Sequence, residues 1–234
     1  ALIAGLPVVW ACSDFVADSC RRDPMLLPWL ASGERLHAVP NEAELESDLA
    51  SGIDPAGDDN QFMAALRRFR RRQLVRIAWR DLAGLADVET VLGELSLLAD
   101  VCIRAACRRA GTALEARHGV PRGADGTPLE LMVLGMGKLG GGELNFSSDI
   151  DLVFLFPRHG ETTGPRPMEF EEYFARVGRR VAQLLGSVTA EGFVYRVDLR
   201  LRPFGDNGPL VLSFDAMEHY YQEQGRDWER YAWI

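Results

Sequence analysis

A chain of 234 residues with a net charge of −8, 47% hydrophobic and 26% charged residues has the composition of a globular protein with a full-sized core. The acidic balance excludes nucleic-acid binding through a basic surface, and no apolar run reaches the roughly 18 residues that span a bilayer. Neither exclusion bears on a local site for one nucleotide.

In chain order, residues 1–118 read as a mainly helical region. The opening 1–13 is uncharged and matches a secretory h-region only superficially, because no basic residues precede it and the chain begins with Ala1. Between Pro40 and Asn60 the composition turns acidic, with Gly52, Pro55 and Gly57, which predicts a surface loop. Seven arginines between Arg67 and Arg80 predict a solvated helix face whose long stems cover apolar surface, with a contact for an acidic partner or a phosphate as the alternative. Leu74, Ile77, Ala78, Leu82 and Leu85 share one helical face. Asp87 offers an N-cap for a second helix, whose apolar residues repeat at threes and fours from Val88 to Ala106. Cys12, Cys20, Cys102 and Cys107 have neither C-x-x-C spacing nor a nearby histidine pair, so they are predicted as buried free thiols of a reducing cytoplasm.

Turn formers crowd a linker at 119–128. From 129 to 234 the texture becomes mixed. Strands are predicted at 131–134, 149–156 and 194–202, with a helix at 170–185. Ser213 caps a helix running to Gly225, and Asp227 caps another. The expected class is α+β with a small mixed sheet, preceded by the helical region. The closing 228–234 stops in an apolar pattern with no cap, so a longer polypeptide is expected.

The chemistry concentrates in 131–202. Gly135, Gly137 and Gly140 form a G-x-G-x-x-G after a strand, but only 143–148 separates them from the next strand, too short for a crossover helix. That weakens a Rossmann oxidoreductase. Lys138 is followed by Leu139, so a Walker A loop fails too. Asp149-Ile-Asp151 places two carboxylates on one strand face, with Ile150, Leu152, Phe154 and Phe156 opposite. Such a pair raises its own pKa values unless a cation intervenes, and a hard ion such as Mg²⁺ or Mn²⁺ suits it. Alternation on the third strand predicts Val194, Arg196, Asp198, Arg200 and Arg202 on one face. Pairing beside 149–156 would then bring Asp198 to the first two acids, among guanidinium groups able to grip phosphate oxygens. The glycine loop (Gly137, Lys138, Gly140, Gly141 and Gly142), with Ser147 and Ser148, supplies further phosphate donors. Order and spacing resemble a DNA-polymerase-β-like nucleotidyltransferase domain.

The run Leu134-Gly-Met-Gly-Lys-Leu-Gly-Gly-Gly-Glu-Leu-Asn-Phe-Ser-Ser-Asp-Ile-Asp-Leu152 is more specific than D-x-D, and it resembles the glutamine synthetase adenylyltransferase family. Similar blocks are Phe193-Val-Tyr-Arg-Val-Asp-Leu-Arg-Leu-Arg-Pro-Phe-Gly205, Tyr220-Tyr-Gln-Glu-Gln-Gly-Arg-Asp-Trp-Glu-Arg-Tyr231 and the helical stretch from Leu66 to Trp79. The resemblance implies a cytoplasmic enzyme whose Asp149, Asp151 and Asp198 hold Mg²⁺ or Mn²⁺. Glu143-Leu-Asn-Phe-Ser-Ser148 implies the half that strips AMP from a tyrosine of adenylylated glutamine synthetase, with orthophosphate entering and ADP leaving. A PII-type signalling protein is implied as a partner of the full-length protein. The rival implications are ATP-dependent adenylylation by the same fold, and a non-catalytic domain that binds a nucleotide or a regulator.

Overall fold

A computed structural model describes residues 2–232, leaving Ala1 and, from the closing apolar pattern, Trp233 and Ile234 outside the described residues. The chain divides into two compact units that interleave along the sequence.

The first unit comprises Ala1–Cys102 with two short segments, Gly142–Ser147 and Val188–Val194. Its helices are α1 (Leu2–Cys12), α2 (Asp14–Arg22), α3 (Leu26–Ala31), α4 (Glu42–Ser51), α5 (Asp59–Leu82) and the N-terminal part of α6 (Val88–His118). Val9, Val16, Leu30, Val75 and Trp79 pack into one fully buried cluster. Asp87 accepts from the Thr90 N–H at 2.8 Å, so it begins α6 as its sequence position implies. The loop expected between Pro40 and Asn60 contains α4 instead. Asn41 and Glu44 form a capping box there, 3.0 and 2.8 Å in its two directions, and this reciprocal cap outweighs the local acidic and glycine content.

The arginine run is also not a solvated face. Arg67, Arg76 and Arg80 are only 2%, 3% and 2% exposed. Arg67 donates to the carbonyls of Gly192 and Met63 at 2.7 and 2.9 Å. Glu94 of α6 lies 2.5 Å from Arg76 and 3.1 Å from Arg80, whose Nη1 also donates to Ala38 O at 2.8 Å. Burial lowers the Arg76 pKa, and Glu94 opposes that shift. These guanidinium groups are internal because carbonyls and one shared carboxylate replace their water. Leu144 and Gly192, in the two short segments, are fastened to the same helices. The Leu144 N–H donates to Ser96 Oγ at 3.1 Å, Gly192 O accepts from Arg67, and Arg71 pairs with Glu191 at 2.8 Å.

The second unit contains the rest of α6, then β1 (Met132–Met136), α7 (Gly137–Gly140), β2 (Ile150–Phe156), α8 (Phe170–Gly186), β3 (Val197–Asp198), β4 (Val211–Ser213), α9 (Phe214–Glu223) and α10 (Asp227–Tyr231). Strand β2 is central. β1 pairs with it antiparallel, while β3 and β4 pair parallel along its other edge, at Ile150–Asp151 and at 154–156 respectively. The mixed helix-and-sheet class is as expected, and the antiparallel β1–β2 pair removes the parallel crossover a Rossmann unit requires. Phe154 and Phe156 of β2 pack on α8: the Phe156 and Phe174 rings stack at 5.9 Å, and a Cβ on Gly178 would lie 2.9 Å from Phe154. Ser213 caps α9 through the Ala216 N–H at 3.2 Å. The cap of α10 sits one residue earlier than expected, at Arg226, whose N–H donates to Glu229 at 2.9 Å.

The third strand is much shorter than the predicted 194–202. Only Val197 and Asp198 pair with β2. Val194 and Tyr195 are both buried, and after Asp198 the chain turns because the Arg200 N–H bonds back to the Asp198 carboxylate at 2.8 Å. Strict alternation therefore fails on both sides of the pair.

Candidate active site

Parallel pairing of β2 and β3 puts Asp151 and Asp198 at matched positions on neighbouring strands, with Asp149 immediately before β2. The pairing of the third strand beside 149–156 is as expected from the sequence. Burial raises the Asp151 carboxyl above the ordinary range, and the negative charges of Asp198 and Asp149 raise it further. Asp198 moves the opposite way, held low chiefly by the side-chain hydrogen bonds of Arg200. Arg200 grips it through Nε at 3.0 and 2.9 Å and through Nη2 at 2.5 Å. Arg196 pairs with Asp149 through its Nε.

The three arginines part company. Arg196 and Arg200 have side chains 58% and 72% exposed and stand at the acids. Arg202 is 11% exposed, donates to Leu199 O at 2.6 Å and lies 3.7 Å from Asp206. It braces its own loop and does not share the face with the other two.

The glycine segment forms the short helix α7. Gly137 opens it at φ +55, and a Cβ at that position would stand 3.6 Å from Asp151 Oδ2. The Gly137 N–H donates to Ala232 O, and the Gly141 N–H to Gly137 O, so both amides already have partners. Lys138, Gly140, Gly141, Gly142 and Ser147 are exposed, and Ser148 is half-buried. Gly142 adopts φ +70, a left-handed turn that glycine tolerates best.

Do these residues suit a divalent cation? Among the described residues no three carboxyl, imidazole or thiol groups already converge on one point. Asp149 and Asp198 are engaged by Arg196 and Arg200. Yet Asp151 carries a charge that burial and two like-charged neighbours disfavour, and a hard cation relieves an all-oxygen set of this kind. The donor chemistry fits, with the guanidinium groups supplying the positive charge.

Within the second unit, sequence reasoning missed a buried carboxylate. Glu229 of α10 is 8% exposed, with the Tyr220 hydroxyl 2.9 and 3.0 Å from its two oxygens. The available signal was a Glu three residues after a helix start.

Comparison with known proteins shows the family. The family model for glutamate-ammonia ligase adenylyltransferase matches residues 3–234. Proteins named bifunctional glutamine synthetase adenylyltransferase/adenylyl-removing enzyme are 49% identical to this chain. The one from Thioalkalivibrio sulfidiphilus aligns over 97% of the chain and 23% of its own length, and that from Shewanella loihica over 98% and 24%. The one from Nitrosococcus oceani, also 49% identical, aligns over 98% of the chain and 24% of its own length. The chain thus spans about a quarter of the length of these relatives and matches their N-terminal part. With a family model matched along nearly its whole length and relatives this similar, the chain belongs to the glutamate-ammonia ligase adenylyltransferase family.

Proposed function

We propose that this chain removes AMP from an adenylylated tyrosine of glutamine synthetase by metal-dependent phosphorolysis on a polymerase-β-like scaffold. The observation that carries the reading is the matched pair Asp151 and Asp198 with Asp149 beside them, bordered by the exposed Arg196 and Arg200. A binding module has no use for three carboxylates massed against their own repulsion. Phosphoryl chemistry needs anionic ligands for a cation and mobile guanidinium groups for the phosphate oxygens.

Orthophosphate attacks the α-phosphorus of the AMP–tyrosine diester in line. The new P–O bond makes ADP, the bond to the tyrosine oxygen breaks, and the proton of hydrogenphosphate ends on the phenol. Asp149, Asp151 and Asp198 would hold a Mg²⁺ or Mn²⁺ ion, which would neutralise charge at the phosphates. Arg196 and Arg200 exchange their carboxylate partners for phosphate oxygens and orient the two anions. Exposed Lys138, Gly140 and Gly141, in the same unit as the acids, are further candidates for holding the incoming phosphate.

Incubation of the chain with adenylylated glutamine synthetase and Mg²⁺ is expected to give ADP only when orthophosphate is present. AMP transfer from ATP to the unmodified enzyme, without phosphorolysis, would instead place the chain in the opposite direction of the reaction. Asp151→Asn is expected to lower turnover by about 100-fold or more while the chain stays folded. Near-normal turnover in that variant would remove the acids from the mechanism.

A further inference from the structure

Two loops bracket the paired acids, and one buried tyrosine reaches both. Tyr220 of α9 is 7% exposed. On one side its hydroxyl holds the Glu229 carboxylate, which also accepts the Arg226 N–H at 2.9 Å. Among the described residues no cation pairs with Glu229, so these neutral donors alone compensate a buried charge. That carboxylate starts α10, a helix of five residues that could not persist alone. Arg230 then ties the helix to Tyr221 O at 2.9 Å, and the next residue but one, Ala232, accepts the Gly137 N–H at 2.9 Å. Gly137 is the left-handed residue whose α-carbon faces the Asp151 carboxylate.

On its other side the Tyr220 ring meets Phe204 edge-on at 4.7 Å between centroids. Phe204, at φ +64, is the non-glycine residue with a left-handed backbone among the described residues. A bulky side chain adopts that conformation only where its surroundings impose it. It does so immediately after Arg200 and Arg202, where the Gly205 N–H folds back to Arg202 O at 2.9 Å.

We propose that Tyr220 is a positioning residue for the phosphoryl-transfer site, acting through Glu229 and α10 on the Gly137 backbone and through Phe204 on the arginine loop. The inference rests on the functional reading above, and it explains why a carboxylate is kept buried without a cation. Neither Tyr220 nor Glu229 touches the acids; both set the frame around them.

The test compares Tyr220→Phe, Glu229→Leu and Glu229→Gln in the full chain, reading amide hydrogen exchange at Gly137 and at Val153 of β2 together with kcat and KM. Tyr220→Phe and Glu229→Leu are expected to speed exchange at Gly137 about tenfold with Val153 unchanged. They should lower kcat about 10- to 100-fold with KM within about twofold. Glu229→Gln keeps an acceptor oxygen and should remain near the parent on both readouts. Unchanged exchange at Gly137, or Val153 rising in step with it, would overturn the proposal. Should Glu229→Leu fail to fold, Tyr220→Phe, which retains the ring, decides the matter. An unaltered chain inactive with orthophosphate would sink the functional reading alone, because the exchange comparison does not depend on turnover.

Discussion

Asp151 and Asp198 occupy equivalent positions on adjacent strands, and their surroundings push them apart. Asp198 is stabilised as an anion by Arg200, whereas Asp151 is half-buried beside two other carboxylates and holds its proton more tightly than usual. A carboxyl with a raised pKa in the fold contributes stability that is complete below its unfolded value and is lost as pH rises through the folded one. Asp151→Asn cannot ionise and escapes that loss. The metal-free variant should therefore melt higher than the parent at pH 7, with the gap closing as pH falls through the raised folded value and gone below about 4. A lower melting temperature at pH 7 would contradict the like-charge strain. The D-x-D pair and Asp198 were legible in the sequence because strand alternation and spacing follow from backbone geometry. The separate fates of Arg200 and Arg202 were not, since they depend on a turn made by the Asp198 side chain.

The cysteines tell a similar story. All four are free; Cys20 and Cys102 are buried as expected, but Cys107 is only half-buried and Cys12 is exposed. Burial pushes Cys102 and Cys107 up to about 12. A thiol reagent at pH 8 should label Cys12 quickly in the native chain, with Cys102 and Cys107 reacting only after denaturation. Rapid native labelling of Cys102 would show that the centre of α6 opens.

At the scale of elements, long periodic helices and the central strand follow from sequence pattern alone. Short ones do not. Helix α4 exists through a capping box, and β3 is a two-residue strand set by its partner. The arginine-rich helix α5 shows the largest departure. Composition suggested a wet face, yet Arg76 and Arg80 converge on Glu94 in the interior. Glu94→Ala would leave two buried guanidinium groups without their counter-ion and should destabilise the fold by about 3–5 kcal/mol, measurable by urea denaturation. A loss below about 1 kcal/mol would mean that the carbonyl partners suffice.

At the scale of the whole molecule, the change of texture near 119–128 suggested a helical region followed by a separable catalytic core. The compact units are interleaved: α6 continues across the division, and 142–147 and 188–194, which lie between the strands of the sheet in sequence, belong with the helices. Leu144 and Val194 are fully buried, and Ser96 and Arg67 fasten these segments. A fragment 129–234 lacks those partners and is expected to show no cooperative thermal transition by circular dichroism, unlike the full chain. A sharp transition in the fragment would restore the simple division.

By itself the sequence determined the α+β class, the course of the long helices, the acids and their strand spacing, all properties of local periodicity and of residue chemistry. The tertiary structure alone decided which arginines face water, the register that sets Asp198 against Asp151 and not Asp149, and that Tyr220 reaches both bracketing loops. Those outcomes depend on groups far apart in the chain, whose burial and pairing are settled only when the chain closes around them.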